Sequence, residues 1–323
     1  MKSPIDHALA LLHAGELVGI PTETVYGLAA DASNPQAVAK IFAAKGRPND
    51  HPVIVHIAGA DQIDDRAIDV PDAARKLAQA FWPGPLTLIL KRQPHVPDAV
   101  TGGQDTVGLR APSHPLTHEL LVRFQGGLAA PSANKFGHVS PTTAEHVRTE
   151  FGPEVPLVLD GGPCEVGVES TIVSLAFERP MLLRPGGIAR EAIETVLGCK
   201  LEHHQKAETA KVRASGLLDS HYAPRTTLVT GPLPRLIEEA RLHGERGERI
   251  ALIARGRAPS HPAATHCEAM PADPEGYARE LYSTLRRLDG QGFDALLLES
   301  PPTTPEWLAV NDRLMRAAHW RLE

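Results

Sequence analysis

Leu17-Val18-Gly19-Ile20-Pro21-Thr22-Glu23-Thr24-Val25-Tyr26-Gly27-Leu28 decides the fold class. The apolar stretch Leu17 to Ile20 predicts a short buried strand, and two threonines with a glutamate follow it at once. Open α/β sheets carry their ligand loops at the carboxyl ends of strands, so the segment reads as a strand that delivers a polar loop. The join recurs. His51–His56 is a short apolar strand with a histidine at its far end, Thr106–Arg110 ends in arginine, and Leu128–Ala130 runs into Pro131-Ser132-Ala133-Asn134. Glu169–Val173 and Met181–Gly186 again set polar residues at the edge of an apolar run. Helical signals at 5–13, from Asn34-Pro35 to Ala44, and at 72–80, 115–124, 142–149 and 189–197 alternate with these strands. Together they predict an α/β domain with a twisted open mixed sheet and helices packed on it.

This first domain is expected over residues 1–200. From 201 to about 225 periodicity fades through Leu201-Glu202-His203-His204-Gln205-Lys206 into a glycine-containing stretch, which reads as a linker or lid. Residues 226–323 alternate again: strands at 227–230, 249–253 and 295–298, helices at 233–242, 275–288 and 306–318. A smaller Rossmann-like α/β domain is expected there, with no glycine fingerprint and hence no dinucleotide. Phe81-Trp82-Pro83-Gly84-Pro85 reads as a rigid apolar turn of core architecture.

Two loops carry the chemistry. Lys45-Gly46-Arg47-Pro48 offers a compact ammonium and a planar guanidinium two residues apart, and Pro131-Ser132-Ala133-Asn134 offers a hydroxyl and an amide. Such a set suits a polyphosphate. Neither common glycine-rich phosphate cradle occurs. The C-terminal end of the helix before Lys45 favours cations even without a ligand.

On these motifs, with Ser140-Pro141-Thr142, Glu169-Ser170-Thr171-Ile172, Arg184-Pro185-Gly186 and His221-Tyr222-Ala223-Pro224, the chain resembles the threonylcarbamoyl-AMP synthases of the YrdC-like family, in their long two-domain form. The match is close over residues 5–200, and Ala309–Leu314 resembles the close of the long form's second domain. The resemblance implies a nucleotidyl transfer in which ATP, L-threonine and bicarbonate give threonylcarbamoyl-AMP and pyrophosphate. Other proteins then move the threonylcarbamoyl group onto tRNA. It puts threonine at Thr24, His56, Arg110, Ala130 and Ser170. It puts ATP at Lys45, Arg47, His51, Thr106, Ser132, Asn134, Ser140, Arg184 and Tyr222, with Lys45 and Arg47 carrying catalysis by neutralising charge. His51 departs from the family's usual asparagine. Magnesium is expected on the ATP phosphates, held by substrate oxygens and water with no protein metal site. The linker, through Tyr222, is expected to fold back as a lid that keeps water from a reactive mixed anhydride.

Composition sets bounds on the alternatives. With 33 Lys+Arg against 39 Asp+Glu the chain is acidic, which gives direct tRNA binding no support and disfavours a double-stranded RNA-binding module without chemistry. The other alternative, a carbamoyl-adenylate-forming domain of hydrogenase-maturation type, expects zinc-finger cysteine pairs, whereas Cys164, Cys199 and Cys267 lie far apart. Unpaired thiols and the absence of a long apolar run predict a cytoplasmic protein with no membrane segment. No Ser-His-Asp arrangement or nucleophile elbow is legible, which suits a reaction driven by positioning and charge. Glu23 is read as a loop-fixing residue.

Overall fold

The computed structural model describes residues 3–203 and 222–322. His221 and most of the expected 201–225 linker lie outside the described residues. The chain divides into two compact units: residues 3–136, 141–165 and 169–203 belong to the first, and 137–140, 166–168 and 222–322 to the second.

In the first unit, β1 (Val18–Ile20) leads through the threonine loop into β2 (Gly27–Asp31), then α2 (Pro35–Lys45), preceded near the N-terminus by α1 (Pro4–His13). There follow β3 (Ile54–His56), α3 (Asp72–Phe81), β4 (Leu86–Lys91), α4 (Asp98–Thr101), β5 (Thr106–Arg110), α5 (Pro115–Phe124) and β6 (Leu128–Ala129). The unit closes with α6 (Ala144–Phe151), β7 (Leu157–Val158), β8 (Thr171–Ser174), β9 (Met181–Arg184), α7 (Arg190–Leu197) and β10 (Glu202–His203). The ten strands run β10-β9-β8-β4-β5-β3-β6-β2-β1-β7, with parallel pairs such as β3 with β5 and antiparallel pairs such as β4 with β5. The sheet is mixed, as expected.

Local chemistry explains the helix starts. Ser3 and Asp6 form a reciprocal capping box on α1, and the Asn34 side chain accepts from the amides of Gln36 and Ala37 while Pro35 occupies the first turn of α2. The α2 helix extends one residue beyond the expected end, so Lys45 is its last residue and Gly46 closes it in the left-handed region at φ 61°. Thr143, accepting from the His146 amide, caps α6, which therefore begins two residues later than expected. Trp82 donates from Nε1 to the Leu86 carbonyl at 2.7 Å and packs on the core, in keeping with an architectural turn.

Strand alternation gives the sheet two unlike faces. Val55, Leu88, Leu90, Val107 and Leu109 project into the main core with Val38, Ile41, Leu77 and Val173. On the other face Ile54, Ile89, Ile172, Met181 and Leu183 form a small apolar cluster of their own. Thr106, Gly108 and Arg110 lie on that second face of β5.

The second unit holds a parallel sheet ordered β13-β12-β14-β11-β15, from β11 (Thr227–Gly231), β12 (Ile250–Arg255), β13 (His266–Met270), β14 (Ala295–Glu299) and β15 (Trp320–Arg321). Helices α8 (Leu233–Glu245), α9 (Pro274–Asp289) and α10 (Leu308–Ala317) accompany it. Val229, Leu252 and Leu297 pack with Leu236 and Ala240 of α8. This is the smaller α/β domain expected from the sequence. Among the described residues no helix is long and apolar enough to cross a membrane.

Candidate functional site

Lys45 joins the two motif loops. Its buried Nζ donates to the Ser132 carbonyl at 2.5 Å and to the Asn134 carbonyl, while its own carbonyl accepts from the Phe136 amide at 2.8 Å. Both carbonyls belong to the second motif loop, so the ammonium ties the two loops together. Arg47 lies over the Phe42 ring at 5.9 Å and donates from Nη2 to the Pro52 carbonyl at 3.1 Å. The His51 imidazole meets the Phe136 ring edge-on, with centroids 6.2 Å apart. Lys45, Arg47, His51, Ser132 and Asn134 are thus gathered on neighbouring loops of the first unit. Gly102 helps to fix the His51 loop: a Cβ there would stand 2.3 Å from the Asp50 carbonyl oxygen, so only glycine permits the close approach.

A second group lies toward the other end of β3 and β5. His56 and Arg110 are register partners on these parallel strands. Arg110 Nη2 donates to Glu23 Oε1 at 2.7 Å, and Glu23 Oε2 accepts from the Ser113 amide at 3.1 Å. The loop carrying Glu23 is held by Thr22, whose hydroxyl bonds to Thr24 Oγ1 at 2.8 Å and to the Val25 carbonyl at 2.6 Å. Tyr26 pins the same segment, donating to the Gly162 carbonyl at 2.7 Å and accepting from the Gly161 amide at 3.1 Å; burial pushes its phenol up to about 12. Ala130 donates to the Ile54 carbonyl at 3.0 Å, beside the loop that runs on to Ser132.

Ser170 bonds Thr87 hydroxyl to hydroxyl at 2.8 Å, and its carbonyl accepts from Arg184 Nε and Nη2 at 3.1 and 2.9 Å. Thr106 stands apart from Arg110: it pairs with Lys91 at the opposite end of β5, about 13 Å away at the usual rise per residue. Ser140 and Tyr222 fall in the second unit. The Ser140 carbonyl accepts from Arg286 Nε at 3.3 Å. Tyr222 has a left-handed φ of 66°, stacks on Tyr282 at 5.8 Å and faces the guanidinium of buried Arg313 at 5.4 Å.

Sequence reading left Glu23 in a supporting part and made nothing of its partnership with Arg110, since 87 residues separate the two. Cys164 is buried, and its thiol is pushed up to about 12 by burial and by the nearby Glu23 charge, so it stays protonated.

His56 is 3% exposed, and among the described residues neither ring nitrogen has a hydrogen-bond partner. Burial, then the Arg110 charge, holds its pKa well below 6.5. The imidazole is therefore neutral in the folded protein and takes up a proton in the unfolded chain below about pH 6.5. The sign follows: the unfolded state binds more protons, so folding stability falls as pH drops from 6.5, at a limiting slope of about 1.4 kcal/mol per pH unit. Denaturant midpoints of the wild type and His56→Asn at pH 7.5, 6.5 and 5.5 should show a shallower acid decline in the variant. Parallel declines would mean that His56 titrates normally.

Comparisons with known proteins extend these observations. Residues 10–186 match the family model described as telomere recombination, and residues 188–319 match that of the threonylcarbamoyl-AMP synthase C-terminal domain. The chain is similar to the threonylcarbamoyl-AMP synthase of Pyrococcus abyssi, 40% identical over 98% of this chain and 94% of the relative. It is likewise similar to the Bacillus subtilis protein of that name, 41% identical with the same coverage. Among solved structures, P. abyssi Sua5 complexed with L-threonine superimposes with a TM-score of 0.91 at 37% identity, over 99% of this chain and 96% of that one.

Proposed function

The chain belongs to the threonylcarbamoyl-AMP synthase family, and on that premise we propose that it condenses ATP, L-threonine and bicarbonate into L-threonylcarbamoyladenylate, releasing pyrophosphate and water, for threonylcarbamoyladenosine modification of tRNA. The observation that carries this reading is the Lys45 ammonium seated on the Ser132 and Asn134 carbonyls, which joins the cationic loop to the hydroxyl and amide loop in one place. As a nucleotidyltransferase the protein needs no nucleophile of its own. The deprotonated threonine amine bonds to the bicarbonate carbon and water leaves, giving the carbamate; its oxygen then attacks the α-phosphorus, a P–O bond forms, and the bond to pyrophosphate breaks with its electron pair leaving on pyrophosphate. Lys45, Arg47 and Arg184 offset the charge that gathers on the phosphates. His51, Thr106, Ser132 and Asn134 line the nucleotide's path on this reading, and Ser140 and Tyr222 are assigned to it by their match to the family motifs.

Arg110, His56, Thr24, Ala130 and Ser170 take the threonine end. Magnesium enters with ATP, on phosphate oxygens and water. That fits the local chemistry, because the residues assigned to the phosphates are cations and offer no oxygen ligands of their own. A cytoplasmic setting, with the downstream tRNA-modifying proteins as partners, agrees with three free thiols.

The test is pyrophosphate release by the purified full chain given ATP, bicarbonate and magnesium, with and without L-threonine. Release that depends on threonine is expected. Release independent of threonine, or none, overturns the reading.

A further inference from the structure

Arg110 is the one permanent cation among the residues assigned to threonine and the natural partner for its carboxylate, yet it already has an anion beside it. The Arg110 and Glu23 side chains are only 5% and 6% exposed and meet at 2.7 Å. Glu23 is held from behind by the Ser113 amide, and Arg110 by the Gly84 carbonyl, which accepts from Nε at 3.3 Å. Among the described residues Arg110 Nη1 has no partner. The two bare nitrogens of His56 lie on the adjoining strand.

A guanidinium already balanced by a buried carboxylate is a poor seat for a lone carboxylate, because a second anion would leave net negative charge in a desolvated place. A zwitterion avoids that cost. The α-ammonium and α-carboxylate of an amino acid are one carbon apart, and the Glu23 and Arg110 charges are one hydrogen bond apart. The two dipoles can therefore lie antiparallel with each charge against its opposite.

We propose that Glu23 is a specificity-determining residue that receives the α-ammonium of the amino-acid substrate, so that the site admits zwitterionic α-amino acids and rejects carboxylic acids that lack the amine. The proposal rests on the threonine reading given above, and it explains why the loop bears a carboxylate at all. A residue that only shaped the loop could do so without a charge.

The probe pair is L-threonine and 3-hydroxybutanoate, which is threonine with hydrogen in place of the ammonium group. Calorimetric titration of the full wild-type chain should show threonine binding at least about tenfold tighter than the analogue. In Glu23→Gln the two ligands should move in opposite directions, threonine weaker by about tenfold or more and 3-hydroxybutanoate tighter, since the variant site carries one more net positive charge. Equal weakening of both would show a merely structural role and overturn the proposal. If Glu23→Gln does not fold, the wild type still decides: analogue binding as tight as threonine overturns the proposal alone, whereas no threonine binding removes the reading of the site and the proposal with it.

Discussion

Lys45→Met should lower kcat/KM for ATP by about 100-fold or more, the scale seen when one preorganised charged donor is taken from a site of developing negative charge. Methionine keeps the length and apolar stem of lysine and removes only the ammonium. The effect has a second part, because the ammonium also holds the Ser132 and Asn134 carbonyls. Leaving those buried acceptors without their donor costs about 1–3 kcal/mol each where water does not replace it. The variant should therefore melt lower as well as react more slowly. Lys45→Arg should not rescue it, since a planar fork does not fit a seat made for a compact ammonium. Pyrophosphate release against ATP concentration, with a thermal melt on each sample, separates the two parts. Unchanged ATP kinetics in a folded Lys45→Met protein would remove Lys45 from the phosphate site.

Gly186→Ala should also be damaging, although less so for activity, because it presses on the backbone of Ser170, one of the residues assigned to threonine. A Cβ on Gly186 would stand 2.3 Å from the Glu169 carbonyl oxygen and 2.4 Å from the Ser170 carbonyl carbon. These are backbone atoms and cannot swing aside. The strand edge must shift, which costs about 1–3 kcal/mol as overpacking does elsewhere, and the shift falls on the residue whose carbonyl Arg184 grips. We expect a lower melting temperature together with a loss of about tenfold or more in kcat/KM for threonine, since small misplacements of positioning groups carry such penalties. Gly290→Ala serves as the control: the nearest atom to its Cβ would be 3.8 Å away, so its melt and kinetics should stay near the parent. Wild-type behaviour of Gly186→Ala would show that Glu169–Thr171 yields without consequence.

Much of the fold was legible because its signals are local. Asn34-Pro35 announced α2 through a side chain that caps and a ring that preorganises, and β-branched or leucine-rich runs announced β5, β9, β12 and β14. Two of the strands that escaped notice lack those signals. β2 is Gly-Leu-Ala-Ala-Asp, rich in residues with weak strand preference, and it is buried by its neighbours rather than by its own chemistry. β13 reads His-Cys-Glu-Ala-Met, a half-exposed edge strand with no apolar alternation. The cations and hydroxyls of the site stood out as motifs. Their company did not: that His56 and Arg110 are register partners depends on the order of strands in the sheet, and that Tyr222 rests against Tyr282 and Arg313 depends on side chains far along the chain.

The placement of Thr106 and Arg110 on one face of β5 makes that strand a ruler. Successive side chains alternate faces, so inserting or deleting a single residue between them would turn one of the pair into the main core while the other stayed outside. Two inserted residues would keep both on the outer face and lengthen the interval by about 7 Å. Lineages carrying this strand should thus vary it by substitution and not by length, and a designer wishing to change the reach between its two ends must work in steps of two.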